Sequence, residues 1–431
     1  MSVLLSIVVK LAFFYTIRLM HDCTLSSSSG MVEAIAVCRG QNWMLRPRLK
    51  QQIAELTALP SVTCTHPEQD MPNLAVIERL AEWFTDAGFD CEIMPVSTGK
   101  ANLIAVRPAL DPNAKGGLVL AGHSDTVPCD LALWKSDPFT MQERDGKLYG
   151  LGTADMKSFF ALVLEAVRGF ASTRFQAPLI VIATCDEETS MAGAKALIQN
   201  QNAHGRFALI GEPTSLKPAR LHKGVMLERI MITGQAGHSS DPSLGRNALE
   251  AMHEVMSRLL KFRDQLKNIT NPLFPVPHPT LNLGCIHGGD NPNRICGLCE
   301  LQFDIRPLPG MQMEKLRAEV RDLIADIGQQ FGVHVLYEAA TAGAPPAETP
   351  ADSPFVRKLE TLTGVPAGAV AFGTEAPYFR QMGMDAVILG AGNIEQAHQP
   401  DEYLEMKNIS PMVLWLTQLI HHYCVQGHAR I

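Results

Sequence analysis

The sequence predicts an α/β layered fold interrupted by a smaller α+β unit, on three observations. From Arg46 to about Leu221, amphipathic stretches alternate with short apolar runs, the pattern of helices packed on a buried sheet. Acids and histidines follow those apolar runs closely, and in open α/β sheets ligands gather at the carboxyl ends of strands. Near Gly224 the pattern changes to period-two alternation and longer helices, and it reverts near Ala340.

In chain order, Leu49–Leu56 and Leu74–Gly88 read as helices, the second closed by Gly88 as its C-cap. Gly117-Leu118-Val119-Leu120-Ala121-Gly122 is a short apolar run between turn signals, hence a buried strand. Ser158 to Phe170 carries the apolar stripe of a helix. Leu179–Thr184 and Phe207–Gly211 are two more buried strands. Met226–Thr233 alternates as a strand, Arg246–Leu266 follows as a helix, and Asp290-Asn291-Pro292-Asn293 is a turn. Glu300–Arg306 alternates again, and Met313–Phe331 reads as one helix. Thr341–Pro354 is a Pro/Ala-rich return loop. The expected organisation is a discontinuous domain, 45–222 and 340–431, with 223–339 inserted.

The first 44 residues stand apart. Val3 to Ile17 is mostly apolar but is broken by Lys10, and it is shorter than the roughly 20 residues of a membrane span. No basic region precedes it and no small-residue cleavage site follows. The expectation is an upstream extension outside the fold, with Met31 and Met44 as possible starts; a weak membrane anchor is the alternative. A net charge of −7 without basic runs argues against nucleic acid. Ten cysteines with no framework spacing suggest a reducing, cytoplasmic setting. Cys296-Gly297-Leu298-Cys299 lacks the partner pair of a closed zinc site and reads as structural.

Five segments bear the chemistry: Gly122-His123-Ser124-Asp125-Thr126, Thr153-Ala154-Asp155-Met156-Lys157, Asp186-Glu187-Glu188-Thr189, Gly211-Glu212-Pro213-Thr214 and Ala397-His398-Gln399-Pro400. Two histidines and three carboxylates as ligands, with two further carboxylates in working positions, make the inventory of a two-metal hydrolase. His123 and Asp125 lie two apart at a strand end and share a face, so Asp125 can orient the imidazole. Asp155 fits either a helix-capping aspartate or a carboxylate bridging two ions. In Glu187-Glu188, at a strand-to-helix corner, one acid can bind metal while the other takes a proton from water. Glu212 occupies the same place after the next strand.

These motifs, written out as GHSDTVP, LYGLGTADMK, CDEETSMAGA, GEPTS and AHQPDEY, resemble those of the M20 family of zinc-dependent amidohydrolases and exopeptidases. The resemblance runs from about residue 46 to the end of the chain. It implies a zinc-exopeptidase-like catalytic domain, a mixed sheet flanked by helices, with an inserted α+β domain that mediates dimerisation. By motif position it implies that His123, Asp155 and Glu212 hold one divalent ion and Asp155, Glu188 and His398 a second. Zinc is the expected metal, with cobalt as the alternative. It further implies Glu187 as general base, Asp125 as the acid orienting His123, a cis peptide after Asp155, and His238 as an oxyanion donor in the partner subunit's site. Spacing alone does not choose His238 over His222 or His253. Ser158 departs from the glycine expected after Asp-Met-Lys. The segments HKGVM, GHSSDPSLGRNALEAMH and FGTEAP point to the branch acting on N2-acetyl-L-ornithine. The alternatives are a succinyl-diaminopimelate desuccinylase or a broad N-acyl-amino-acid hydrolase. For such a small-molecule substrate, Arg306 and Asn293 are candidates for the carboxylate and Glu375 for the distal ammonium.

Overall fold

Three uninterrupted apolar runs, Leu118–His123, Leu179–Thr184 and Phe207–Ile210, form strands buried along their whole length. Such runs suit a sheet covered on both faces. The computed structural model describes residues 46–429, so the expected 1–44 extension lies outside the described residues. The strands are β1 (Asp90–Ser97), β2 (Lys100–Arg107), β3 (Leu118–His123), β4 (Gln142–Arg144), β5 (Lys147–Tyr149), β6 (Leu179–Thr184), β7 (Phe207–Ile210), β8 (Ala219–His222), β9 (Met226–Thr233), β10 (Thr280–Gly288), β11 (Leu298–Arg306), β12 (His334–Ala339), β13 (Ala347–Glu348), β14 (Gly368–Val370), β15 (Asp385–Ile388) and β16 (Tyr403–Glu405).

The main sheet is mixed, in the order β1-β2-β6-β3-β7-β15-β8-β13, with β14 beside β8. At its centre β6, β3, β7 and β15 run parallel. Alternate side chains reach opposite layers. Leu118, Leu120, Leu179, Val181, Phe207 and Leu209 pack with Phe159, Phe160, Val163 and Leu416 from helices Ser158–Val167 and Met406–Ile420. Val119, Ala121, Ile180, Ile182, Ala208 and Ile210 pack with Leu197 and Phe379 on the other face.

Residues 226–339 build a second, wholly antiparallel sheet, β10-β11-β9-β12. Met226, Ile230 and Ile232 of β9 face Val255 and Leu259 of helix Ala248–Leu266 and Leu316 and Val320 of helix Met313–Ile324. Cys296 and Cys299 are buried in that core. The chain enters this unit at Val225 and returns at Ala344, where the two residues exchange backbone hydrogen bonds of 2.8 and 3.0 Å. A short sheet, β16-β5-β4, completes the fold.

The α/β layered class expected from the sequence is the one observed, with differences in detail. The single helix expected over 313–331 is two, Met313–Ile324 and Ile327–Phe331, parted by the turn residues Ala325 and Asp326, and Gly332 closes the second in the left-handed region at φ 65°. The return loop 341–354 contains β13, paired with β8. The hairpin β1–β2 and helix Met406–Ile420 are additional elements. Gly88 follows its helix at φ 84°, a conformation that favours glycine. Among the described residues no helix is long and apolar enough to cross a membrane.

Candidate metal centre

Register brings the acids together. His123 at the end of β3 pairs with Thr184, and Ala121 pairs with Ile210. Glu187 and Glu188 therefore emerge on one side of His123 and Glu212 on the other, all at the carboxyl edge of parallel strands. Gly211 is required here: a Cβ would stand 2.3 Å from the Phe159 ring. Asp155 comes from the turn before helix Ser158–Val167, and the Asp155–Met156 peptide is cis. Ser158 donates to Thr153 O at 2.5 Å, so this side chain closes the turn. His398 arrives from the loop before β16, at φ 60°.

Two trios of ligand atoms lie within 4.8 Å of one another, His123–Asp155–Glu212 and Asp155–Glu188–His398, sharing Asp155; His123, Glu187 and Glu188 form a third grouping. His123 Nε2 is 3.0 Å from Asp155 Oδ1 and 4.0 Å from Glu212 Oε1. His398 Nε2 is 2.9 Å from Glu188 Oε1 and 3.7 Å from Asp155 Oδ2. His123, Asp155, Glu187 and Glu212 are buried, whereas the His398 side chain is half exposed.

The residues fit a pair of cations. His123 Nδ1 sits 3.0 Å from the backbone carbonyl of Asp125, which can only accept. Nδ1 therefore carries the hydrogen and the lone pair of a neutral imidazole faces carboxylates through Nε2, an arrangement a cation between them reconciles. Glu212 Oε1 is buried without a hydrogen-bond partner. Burial, and then the negative charge of Asp155, Glu188 and Glu375, hold the Glu212 pKa well above the usual carboxylate range, against the pull of His123. Burial opposes a charge on His123, and Asp155, Glu212 and Asp125 override it, raising its pKa. The Glu188 hydrogen bond does the same for His398, up to about 9. A site that strains to protonate its acids and its histidines alike is short of positive charge.

Asp125 meets His123 Nδ1 through its backbone carbonyl. Its carboxylate is 3.8 Å from His123 Nδ1. It accepts instead from the backbone N–H groups of Glu187 (3.3 Å) and Glu188 (3.2 Å), fixing the corner that carries both acids.

Of the candidate substrate residues, His238, Asn293 and Arg306 lie in the second unit. His238 is exposed in the second unit, its Nδ1 2.7 Å from Ser240 Oγ, and Ser239 N donates to Asn293 O, so the His238 and Asn293 loops touch. Arg306 directs Nε and Nη2 to Asp304, both 2.8 Å from Oδ2. Glu375 is fully buried and neither of its oxygens has a hydrogen-bond partner. Burial pushes its pKa up to about 7; the nearby Thr184 hydroxyl donates to Gly122 O at 3.2 Å instead. The sequence reading misses Glu402, which accepts three backbone N–H bonds from the turn carrying Asp155. Its one signal was its place in the segment that supplies His398.

Fold and site together fit a hydrolase that uses a pair of divalent cations. The family model for "Peptidase family M20/M25/M40" matches residues 119–422, and the chain belongs to that family. It is 47% identical over 372 residues to acetylornithine deacetylases of Pectobacterium carotovorum subsp. carotovorum and Pectobacterium atrosepticum, covering 86% of this chain and 96% of each relative. Among solved structures it resembles a Staphylococcus aureus tripeptidase (TM-score 0.69, 20% identity, 87% of this chain and 98% of that one). It also resembles a dinuclear metal-binding M20 peptidase of Bacillus subtilis (TM-score 0.61, 15% identity, 86% and 97%).

Proposed function

We propose that the protein hydrolyses N2-acetyl-L-ornithine to L-ornithine and acetate, as a cytoplasmic step of arginine biosynthesis. The observation that carries this is 47% identity across 96% of the length of curated acetylornithine deacetylases. His123, Asp155 and Glu212 would hold one divalent ion and Asp155, Glu188 and His398 the other, with zinc favoured by the His/carboxylate set and cobalt as the alternative. When bound, the pair supplies Lewis acidity towards the amide carbonyl and makes water a nucleophile near neutral pH.

The protein's own groups do the rest. Glu187 takes a proton from the attacking water and returns it to the amide nitrogen as the C–N bond breaks, so that acetate and the ornithine amine leave. A buried acid among other acids is a stronger base than an exposed one, and Glu187 has that setting: burial, and then Glu212, raise its pKa well above the usual range. Asp125 holds the Glu187–Glu188 backbone in place. Residues 223–339 are the inserted dimerisation unit in this reading, and His238 donates to the developing oxyanion in the partner subunit's site. Arg306, with Asn293, receives the substrate carboxylate, with Asp304 presetting the guanidinium. Glu375 receives the distal ammonium, since two unpartnered oxygens in a dry site gain most from a cation.

The test is hydrolysis of N2-acetyl-L-ornithine by the purified, metal-loaded protein beside N-succinyl-diaminopimelate and N-acetyl-methionine. A clear preference for the first is expected. Turnover of either competitor at equal or greater kcat/KM would overturn the assignment.

A further inference from the structure

The loop that delivers His398 and the turn that delivers Asp155 are separated by over two hundred residues, yet one buried side chain ties them. Glu402 Oε1 accepts from Ala154 N at 2.7 Å and Asp155 N at 3.1 Å, while Oε2 accepts from Gly152 N at 3.0 Å. The Glu402 carbonyl accepts from Gly150 N at 3.0 Å, and the adjoining β16 pairs with β5. Glu402 is 2% exposed, so the carboxylate spends its acceptor capacity on this turn rather than on solvent. Gly152 lies at φ 79°, a conformation that favours glycine, and its N–H is one of the three held. On the other side of Glu402, Asp401 accepts from Lys135 N at 2.9 Å and pairs with Lys135 Nζ at 3.0 Å, anchoring the same loop.

We infer that Glu402 is a positioning residue that sets the separation of Asp155 and His398, and with it the second cation position. The asymmetry of the two trios gives the inference its content. In His123–Asp155–Glu212 two ligands leave neighbouring parallel strands whose register is set by the sheet. In Asp155–Glu188–His398 two of three ligands ride on the segments Glu402 joins, and His398 is the half-exposed ligand. Loss of the clamp therefore weakens the second position more than the first. Groups that orient ligands typically contribute about 10–100-fold to metal affinity.

This inference rests on the ligand assignment above, and the experiment separates the two. Cobalt(II) is titrated into chelator-treated full-length wild type, E402Q and E402A, read by calorimetry and by the visible d–d spectrum. Wild type is expected to bind two ions per chain; fewer would overturn the ligand assignment and this inference with it. In E402A the second ion weakens by about 10–100-fold, the first by less, and the d–d bands of the second ion shift. In E402Q the remaining oxygen still accepts from Ala154 and Asp155 while the amide meets the Gly152 N–H donor to donor, so an intermediate loss is expected. Two ions bound as in wild type, or equal losses at both positions, would overturn the inference. Should E402A fail to fold, E402Q alone decides by the same criteria.

Discussion

Replacement of Glu187 by Gln preserves shape and removes the proton acceptor. Positioned general bases contribute about 10²–10⁴ in rate. The Glu187 side chain is buried, and burial followed by Glu212 raises its pKa well above normal, with Glu188 and Glu375 adding to it and only His123 opposing. The expected loss in kcat is about 10²–10⁴, or roughly 3–5 kcal/mol in the barrier. KM changes little, because the group acts on water rather than on the bound ground state. The acid limb of the pH–rate profile should vanish with the base: activity that requires ionised Glu187 falls as pH drops through its pKa, and E187Q has nothing there to protonate. The structure also contains a rival role, since His123, Glu187 and Glu188 form a grouping that could hold an ion. Metal content measured beside steady-state kinetics decides. Two ions per chain with kcat lost supports the base; loss of an ion in E187Q refutes it.

Two further outcomes are expected. E375Q should raise KM for N2-acetyl-L-ornithine by about 10–100-fold, the scale of one charged hydrogen bond in a dry site, and leave a neutral acetyl-amino acid nearly unchanged; equal effects on both substrates would count against an ammonium contact. His222 is fully buried and burial lowers its pKa to about 4. The unfolded chain, near 6.5, then binds the proton more tightly than the folded one, so the stability held above pH 6.5 is lost as pH falls towards 4, by up to about 3 kcal/mol. H222N keeps a donor for the Lys223 carbonyl, 2.8 Å from His222 Nδ1, and should show a shallower loss between pH 7.5 and 4.5 in denaturant titrations; parallel losses would refute the assignment.

What could be read from the sequence follows from where side chains carry the information. The strands over 118–123, 179–184 and 207–210 are uninterrupted apolar runs because both sheet faces are covered, and they were legible for that reason. The strand over 90–97 was not: β1 is an edge strand, largely exposed, with Asp90, Glu92 and Pro95 in it. The edge strand β10 is exposed over most of its length and left as weak a pattern. The residues expected to hold metal stand together in space; His123, Glu188 and Glu212 each followed a run that could be read, whereas Asp155 and His398 lie in loops. Glu402 was invisible because its partners are backbone N–H groups, which have no sequence signature. Arg306 faced the opposite difficulty: Asp304, two residues back on the same strand face, was in plain view, but an i, i+2 pair does not say whether the acid presets the guanidinium or neutralises it.

The placement of the ligands explains why so few residues specify the centre. Because β6, β3 and β7 are adjacent and parallel, the first turns beyond them open on one edge, and the register that aligns His123 with Thr184 also sets Glu187, Glu188 and Glu212 around it. The sheet's hydrogen bonds, made for stability, thus determine the spacing of three of the four acids at no separate cost in ordering. Asp155 and His398 come from loops and lack that support. The turn 150–158 is accordingly held by Thr153 and Ser158 from within and by Glu402 from the His398 side. The centre is rigid on its sheet side and clamped on its loop side. Substitutions that spare every ligand but loosen the clamp should therefore act on the second cation before they act on the fold.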